Sequence, residues 1–364
     1  MKFLIPYWYT YGLEEITAIF RKEHHTVHPC PGNPRNYHYD PVFRRNIAQT
    51  IAEQGIEAVF SLQYFPILSN ICENLQIPYI CWCYSDSINR LLLTESLANS
   101  CNIIFHTDSQ WVEKLRRAGG QNIHYLPWAA SKEALSKNTL PPQADISLVD
   151  TTDQDAWLNY VALSRQLDLR TKGFLEGLLQ AQQSIYGFHI LEKVLHRQVL
   201  ASMQEAFPLR DIRNNTAPLE DLYAFQILYP AVTRMETQHI LKLLENEKQW
   251  CVSTEKNHGP LYSTSSIHLL IPPREIQDGI PVQAMNIMGC GGFLLTSFQK
   301  DYLSFFEPER DYVYYESPED MIEKARYYLE HQEDREKIAR NARKKILEGH
   351  TMEHRIREMF ALLY

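Results

Sequence analysis

Short apolar runs alternate with amphipathic segments along the first 130 residues, and this alternation restricts the possible fold more than any other feature of the sequence. The runs suit buried strands and are too short for helices: 3–5, 58–60, 79–82 and 103–105. The segments between them have helical spacing, at residues 13–23, 41–54, 66–75 and 109–118, with Asp40 and Ser109 placed to cap two helices. Strands that alternate with helices are typical of a parallel sheet with crossover helices, so the sequence predicts an α/β fold.

A second α/β pattern follows a predicted linker at residues 131–144, where Pro141-Pro142 excludes a helix. It begins with a strand at 146–149, is interrupted by a helical stretch over about 155–206, and continues with apolar runs at 250–252, 267–271, 293–295 and 312–315. A chain of 364 residues also exceeds what one hydrophobic core usually serves. We therefore predict two parallel-sheet domains, 1–140 and 141–345, the second with a helical insertion at about 155–206. A terminal helix at 346–364 is expected to cross back to the first domain.

Composition and charge exclude several classes of protein. The 36 basic and 44 acidic residues give a formal net charge of −8, which provides no basic field for nucleic acid or anionic lipid. No window approaches the roughly 18 to 20 apolar residues of a membrane span, and the N-terminal residues lack the pattern of a secretory signal. The seven cysteines have no repeating spacing and are typical of reduced thiols. We expect a cytoplasmic protein without a membrane span or a nucleic-acid partner.

Aromatic and polar residues follow the predicted strands of the first domain at the points where the strands end. In open parallel sheets, ligands bind beyond the carboxyl ends of the strands, so these residues are candidates for a binding site. Aromatic faces with polar tips suit sugar rings or bases, although any single ring can instead close the top of the core. The candidates are Tyr7, Trp8, Tyr9, Tyr11, Gly12, Gln63, Tyr64, Phe65, Tyr84, Ser85, Asp86, His106, Thr107 and Asp108.

Motifs in both halves of the chain resemble one known family. In the C-terminal half they are 265–271, Gly279-Ile280-Pro281, Met288-Gly289-Cys290-Gly291-Gly292, 327–331 and Gly349-His350-Thr351. In the N-terminal half they include Trp8, Tyr11-Gly12, Tyr64-Phe65-Pro66, Trp82 and Tyr84. In order and spacing these motifs resemble the CgeB-like glycosyltransferases, together with the N-terminal domain that accompanies many of them.

The resemblance implies the GT-B architecture, in which two Rossmann-like domains face each other across a cleft. It implies a UDP-, GDP- or TDP-linked sugar donor held mainly by the C-terminal domain, a glycan or protein acceptor on the N-terminal domain, and no metal ion or other cofactor. A homo- or hetero-oligomer is compatible with it. The donor-binding positions that it indicates are Gly279, Pro281, Gln283, Asn286, Gly291 and Gly292, and the acceptor-side positions are Tyr7, Trp8, Tyr11, Gly12, Tyr64 and Tyr84.

Three residues are candidates for the chemistry of transfer. If the reaction inverts the sugar configuration, Asp86 or His106 would act as the general base on the acceptor hydroxyl. If it retains the configuration, no base is needed there, and Arg274 with nearby backbone amides would stabilise the departing nucleoside diphosphate. The sequence leaves both routes open.

Four departures from the family pattern leave a second function open. The neutral residues Gln283 and Asn286 stand where the family commonly has an arginine and an acid, and the carboxylate at Asp86 is displaced by one residue. Asp150 follows a strand where relatives turn with a glycine, and the stretch 254–265 is short. The alternative to an active transferase is therefore a non-catalytic paralogue that binds a glycan, a nucleotide or an active homologue as a partner subunit. A nucleotide-dependent oxidoreductase is a third class, but no G-x-G-x-x-G follows the first strand.

Two local patterns suggest a metal ion, and neither is assigned one. Asp153-Gln154-Asp155 lies at a predicted helix start, where an acidic residue is favoured as a cap. The residues His24, His25, His28, Cys30 and His38 fit no closed tetrahedral spacing, and the prolines at 29 and 31 predict a rim loop there.

Overall fold

The computed structural model describes residues 1–84, 95–136, 144–209, 217–255 and 265–363. Contacts between residues divide the chain into two units. The first unit contains residues 1–128 and the segment that begins at Met352, whereas the second contains residues 129–209 and 218–351. Each unit is built on its own parallel sheet.

The first sheet has six parallel strands in the order β2-β1-β3-β4-β5-β6. Their bounds are β1 (Lys2–Ile5), β2 (Thr26–Pro29), β3 (Ala58–Leu62), β4 (Tyr79–Cys83), β5 (Asn102–His106) and β6 (Ile123–Tyr125). The four apolar runs predicted as strands are confirmed. The rim loop predicted around Pro29 and Pro31 is wrong in part. Thr26–Pro29 pairs with β1 as an edge strand, and the loop begins only after Pro29 and continues to Asp40.

Four helices cover the sheet: α1 (Leu13–Lys22), α2 (Pro41–Gln54), α3 (Pro66–Leu75) and α4 (Ser109–Arg117). Asp40 caps α2 as predicted, and its carboxylate accepts hydrogen bonds from the backbone N–H groups of Val42 and Phe43. The cap predicted at Ser109 is wrong by one residue. The N-cap of α4 is Asp108, whose carboxylate accepts the N–H of Gln110.

The C-terminal helix, Met352–Ala361, also packs within the first unit. The ring of Phe360 lies 5.1 Å from that of Phe20, which belongs to α1, and 6.1 Å from that of Phe3 in β1. An ion pair between Lys22 and Glu353 joins the ends of the two helices. These contacts add a layer of apolar side chains to the core of this unit.

The second sheet has five parallel strands in the order β11-β10-β9-β7-β8. Their bounds are β7 (Ala144–Val149), β8 (Val252–Glu255), β9 (Ser265–Leu270), β10 (Leu294–Ser297) and β11 (Val313–Tyr315). Four predicted runs coincide with these strands, and the run predicted at 250–252 begins two residues later, at Val252. The α/β fold class is therefore confirmed in both halves.

The helices of the second unit are α5 (Lys132–Leu135), α6 (Gln154–Gln166), α7 (Leu169–Gln183), α8 (Leu191–Val194), α9 (Arg197–Ala206), α10 (Leu219–Tyr223), α11 (Tyr229–Asn246), α12 (Val282–Cys290), α13 (Pro318–Glu330) and α14 (Gln332–Gly349), with a π-helix at Ala224–Leu228. The helical region predicted at 155–206 is therefore longer than expected, because further helices follow it up to the end of α11 at Asn246. The linker predicted at 131–144 is wrong in part, because Ser131 caps the short helix α5.

Helices cover both faces of the second sheet. Ile240 and Leu244 of α11 and Met321 and Ala325 of α13 pack with the residues of β7 and β9 that face them. Ala134 of α5 and residues of α12 and α14 form the core on the opposite face. Since α11 precedes β8 and α12 follows β9, both helices begin at the carboxyl edge of the sheet.

Candidate functional site

Aromatic side chains are concentrated at the carboxyl edge of the first sheet. The ring of Trp8, just after β1, lies 4.6 Å from Phe65, which follows β3, and 5.4 Å from Tyr37, which follows β2. Tyr37 and Phe65 are themselves 5.1 Å apart, and Tyr9 lies 5.9 Å from Phe65. We call Trp8, Tyr9, Tyr37 and Phe65 the aromatic cluster. Three of its rings, those of Trp8, Tyr9 and Tyr37, are only half-buried.

The predicted acceptor-side residues occupy different depths at this edge. Tyr7 is 44% exposed, Trp8 and Tyr11 are half-buried, and Tyr84 packs at 5.0 Å against the buried ring of Trp128. Tyr64 is buried instead, and its hydroxyl is hydrogen-bonded to Ser96 Oγ at 2.8 Å, so its place is in the core.

Gly12 has a structural reason to be a glycine. Its φ of +73° places it in the left-handed region, where it precedes α1. A Cβ atom at this position would lie 3.0 Å from Trp128. A glycine at this position therefore lets the backbone approach the buried ring of Trp128. This packing role is sufficient to explain Gly12 without contact to an acceptor.

His106 lies at the end of β5 with its ring fully buried. Its Nδ1 accepts the backbone N–H of Asp108 at 3.0 Å, so in the neutral ring the proton is on Nε2. Burial lowers the pKa of His106 to about 3. A ring without an available lone pair cannot accept the proton of a hydroxyl, so this geometry gives His106 a structural role in place of the predicted base. The other predicted base, Asp86, lies outside the described residues.

Arg274 is part of a buried network in the second unit. Its Nε donates to Glu236 Oε2 at 2.7 Å, its Nη1 donates to the carbonyl of Ile185 at 3.1 Å, and its backbone N–H donates to Thr233 Oγ1 at 2.8 Å. The other carboxylate oxygen of Glu236 accepts from the Tyr186 hydroxyl at 3.0 Å. Burial alone would lower the pKa of Arg274, but the charge of Glu236 raises it above its ordinary value. Arg274, which the sequence predicts to stabilise the leaving group, thus joins α11 to the segment after β9.

The predicted donor-binding residues lie on and around α12. Gly279 and Pro281 precede the helix, and Gln283 is in its first turn, at the carboxyl edge of the sheet where an anion would meet the free N–H groups of the helix. Asn286 lies one turn further along, and its Oδ1 accepts the backbone N–H of Ser131 at 2.9 Å.

Gly291 and Gly292 lie at the other end of α12. Gly291 has a φ of +85°, and the N–H of Gly292 donates to the carbonyl of Ile287 at 2.9 Å, so the pair ends the helix as a left-handed cap. A crossover helix that begins at the carboxyl edge of a sheet ends at the amino edge. The two glycines are therefore at the edge opposite to the start of α12, and a donor bound at that start would not contact them.

Arg234 of α11 is a basic residue that sequence reasoning missed. Its Nη1 donates to Thr152 Oγ1 at 3.2 Å, just beyond β7, and its Nε is buried without a hydrogen-bond acceptor among the described residues. Arg234 forms no ion pair with a carboxylate of the residues that the structure describes. It thus places a guanidinium at the carboxyl edge of the second sheet. Arg234 is the sixth residue of α11, a helix that the sequence analysis did not predict, so no sequence pattern marked it as a site residue.

The turn after β7 explains how Asp150 is tolerated at this edge. Asp150 Oδ1 accepts hydrogen bonds from the backbone N–H of Thr152 at 3.0 Å and from its hydroxyl at 2.7 Å. The same hydroxyl oxygen accepts from Arg234. The side chain of Thr152 therefore bridges the carboxylate and the guanidinium, so the two charged groups share one hydrogen-bonding partner.

One of the two suspected metal patterns is explained locally. Asp153 accepts the N–H of Ala156 at 3.0 Å, which confirms that it caps α6. No group of three or more His, Cys, Asp or Glu side chains in the described ranges is arranged to hold a metal ion.

No helix of the described part of the chain is long and apolar enough to cross a membrane.

Comparison with solved structures identifies the class of fold. A glycosyltransferase from Rickettsia africae matches with a TM-score of 0.53 and 11% identity, covering 99% of this chain and 97% of its own. Anabaena HepE in complex with UDP and glucose matches with a TM-score of 0.56 and 10% identity, covering 100% and 99%. Sucrose-phosphate synthase from Thermosynechococcus elongatus gives 0.54 and 10%, covering 100% and 98%. The chain thus has the GT-B fold of glycosyltransferases, as predicted.

A protein family matches the C-terminal region in sequence. Residues 238–361 match the family described as glycosyl transferase-like, which confirms the resemblance noted from the motifs in this region. No curated protein matches the chain. The matched region includes β8 to β11 and the helices α12 to α14, whereas Arg234 lies four residues before it.

Proposed function

We propose that the protein is a glycosyltransferase that moves a sugar from a nucleoside diphosphate donor to a hydroxyl acceptor. The glycosyl transferase-like region and the GT-B fold support the reaction class. HepE, which has the same fold, is described in complex with UDP and with UDP-glucose, so UDP is the first nucleotide to test. GDP and TDP are the alternatives within the same class.

The observation that carries the proposal is the position of Arg234. A partly buried guanidinium with no carboxylate partner in the described residues favours an anionic ligand, because desolvated cations are stabilised by opposite charge. The first turn of α12, with Pro281 at its cap, provides free N–H groups at the same edge of the sheet. Together they would hold the diphosphate without a metal ion. Gln283 and Asn286 are neutral and would contact the ribose by hydrogen bonds without the help of a full charge.

In the proposed reaction, the bond between the anomeric carbon and the phosphate oxygen breaks, and a bond from that carbon to the acceptor oxygen forms. The departing diphosphate keeps the electron pair, and Arg234 and the α12 N–H groups would stabilise its charge. In an inverting reaction the acceptor proton would pass to Asp86, which is the remaining candidate base. A cytoplasmic location is part of the same proposal, and it is supported by seven cysteines that are all free thiols.

Titration calorimetry with UDP and uridine tests this proposal. Wild-type protein should bind UDP, and Arg234→Gln should bind it at least tenfold more weakly, because a charge-assisted hydrogen bond contributes about 1.5–3 kcal/mol. Uridine lacks the phosphates and should bind both proteins equally. Arg165→Gln removes the same charge from an exposed position of α6 and is the matched control. Absence of binding by UDP, GDP and TDP at millimolar concentration would overturn the proposal.

A non-catalytic paralogue is the second candidate, and the neutral residues Gln283 and Asn286 favour it. The amide oxygen of Asn286 is already used by Ser131, which weakens its ability to accept a bond from a ribose hydroxyl. Such a protein would bind the nucleotide sugar but would neither hydrolyse nor transfer it. Release of UDP from UDP-glucose, measured with and without added glycan, separates the two candidates.

A further inference from the structure

Three loops at the carboxyl edge of the first sheet combine many aromatic residues with very few charges. Loops after three adjacent strands, at residues 6–12, 30–40 and 63–65, contribute 21 residues, of which eight are aromatic. Charged residues make up 22% of the chain, yet these three loops contain only Arg35 and Asp40. The carboxylate of Asp40 is already used, because it accepts N–H groups from Arg35, Val42 and Phe43. A ligand that fits these three loops is therefore uncharged.

The aromatic cluster is held in place by hydrogen bonds. The indole N–H of Trp8 donates to the carbonyl of Gly32 at 3.3 Å, and the carbonyl of Tyr37 accepts the N–H of Ile67 at 2.9 Å. Asn36 Oδ1 accepts the N–H of His38 at 2.7 Å, which fixes the turn that carries Tyr37 and Tyr39. Burial, and then the neighbouring Tyr9, raise the pKa of Tyr37. The rings thus have a fixed arrangement before any ligand binds, which lowers the cost of binding.

Gln63 provides a second and independent observation at this edge. It follows β3 directly, and its φ of +68° is in the left-handed region, which a glutamine rarely adopts. Its backbone is fixed there, because its N–H donates to the carbonyl of Trp82 at 3.0 Å and its carbonyl accepts from Ser61 Oγ at 2.7 Å. Such strain is concentrated at functional sites.

The side chain of Gln63 has an unused acceptor. Its Nε2 donates to the carbonyl of Tyr84 at 3.0 Å, and since a carbonyl can only accept, this bond fixes which end of the amide is the oxygen. The side chain is 3% exposed, and Oε1 accepts no hydrogen bond from any described residue. A buried acceptor of this kind costs free energy unless a ligand donates to it, and a hydroxyl is a suitable donor.

We propose that this edge, formed by the aromatic cluster and Gln63, binds an uncharged glycan, and that the acceptor of the reaction is therefore a neutral oligosaccharide or polysaccharide. The assignment of the glycan as acceptor depends on the proposed function. The aromatic rings would stack on the C–H faces of the sugar, and Gln63 Oε1 would accept a hydrogen bond from a sugar hydroxyl. A protein acceptor, which would present peptide N–H groups and charged side chains, fits these three loops less well.

Binding of oligosaccharides to the full chain tests the proposal. The probes are maltopentaose, cellopentaose and chitopentaose as neutral ligands, and pentagalacturonate as a charged counterpart, each titrated by calorimetry. At least one neutral probe should bind more tightly than the charged one. Trp8→Ala should weaken that binding at least tenfold, and Gln63→Met, which removes only the amide, at least threefold.

Two further variants and one control keep the test decisive. Tyr7→Ala and Tyr39→Ala alter side chains that are 44% and 71% exposed, so the protein should fold normally and bind the neutral probe several-fold more weakly. Trp157→Ala removes a half-buried tryptophan of the second unit and should leave binding unchanged. Three results would overturn the proposal. No neutral probe binds at about 10 mM, the charged probe binds more tightly than the neutral ones, or folded Trp8→Ala binds like wild type.

A parallel UDP titration separates this proposal from the proposed function. If UDP binds and the oligosaccharides do not, only the glycan site is wrong. If a neutral oligosaccharide binds and no nucleotide does, the edge is a glycan-binding site, and the transferase reaction is the part that fails.

Discussion

Arg274 Nε lies 2.7 Å from Glu236 Oε2, and less than a tenth of either side chain is exposed. The guanidinium also lies over the Tyr186 ring, 4.4 Å from its centre. A buried cation that is fully paired has little capacity left for a phosphate, because its ion pair and its carbonyl partners would have to break first. The pair thus joins α11 to the segment after β9, and Arg234 is the residue that we propose for the anion site.

Removing one partner of this pair should destabilise the protein strongly. Glu236→Gln leaves the guanidinium of Arg274 buried without a counter-charge, and we expect the free energy of unfolding to fall by about 3–5 kcal/mol. Urea denaturation followed by fluorescence measures this change. Glu307→Gln, which breaks the exposed pair with Arg310, should cost less than about 1 kcal/mol. Similar costs for the two variants would contradict the structural role of the Arg274–Glu236 pair.

The stability of the protein should depend on His106 at acidic pH. Burial lowers its pKa to about 3 in the folded state, whereas the unfolded chain binds the proton near the ordinary value of 6.5. Below that value the unfolded state binds more protons, so stability falls as the pH falls, by up to about 1.4 kcal/mol per pH unit from this residue.

The variant His106→Asn tests this linkage, because asparagine can still accept the N–H of Asp108 but does not titrate. Between pH 5.5 and 4.5 the stability of the variant should fall less steeply than that of wild type, by about 1.4 kcal/mol per unit. Equal slopes in urea titrations at these two pH values would show that His106 is accessible to protons in the folded state.

Two helical glycines should respond in opposite directions to the same substitution. A Cβ atom at Gly289 of α12 would lie 2.9 Å from the Cβ of the buried Ala130, so Gly289→Ala should destabilise the protein by about 1–3 kcal/mol. No heavy atom lies within 4 Å of the same atom at Gly177 of α7, so Gly177→Ala should stabilise it by about 0.5–1 kcal/mol. Thermal unfolding of the two variants checks both signs.

The C-terminal helix should contribute measurably to the stability of the first unit. Phe360 is 9% exposed and packs against Phe3 and Phe20, so Phe360→Ala should cost about 3–5 kcal/mol. Leu362 is 54% exposed, and Leu362→Ala should change stability by no more than about 0.5 kcal/mol. Equal effects in urea denaturation would indicate that the helix does not pack as described.

Most of the fold could be predicted from the sequence, because a buried parallel strand has an uninterrupted apolar run. The runs at 58–60 and 79–82 coincide with β3 and β4 for this reason. The edge strand β2 has the sequence Thr-Val-His-Pro, which has no such run, and it is defined only by its pairing with β1. The short helix α5 depends on a single capping residue, Ser131, among residues that otherwise resemble a linker.

The candidate site could be predicted only in part, because side-chain partners are set by contacts between distant residues. Arg274 follows β9 in the sequence, but its partner Glu236 is 38 residues away. Arg234 meets Thr152 across 82 residues, and no local pattern indicates such a contact. The strained backbone of Gln63 likewise depends on Trp82 in the neighbouring strand.

The path of the chain through the two units has a consequence for folding during synthesis. The core of the first unit includes the helix that begins at Met352, more than 220 residues after Trp128. At roughly 5–20 residues per second, a ribosome needs on the order of ten seconds or more to make the intervening residues. Throughout that interval Phe3 and Phe20 lack Phe360, so the nascent first unit exposes apolar surface that a chaperone could bind. The first unit therefore cannot be completed before the second has been synthesised.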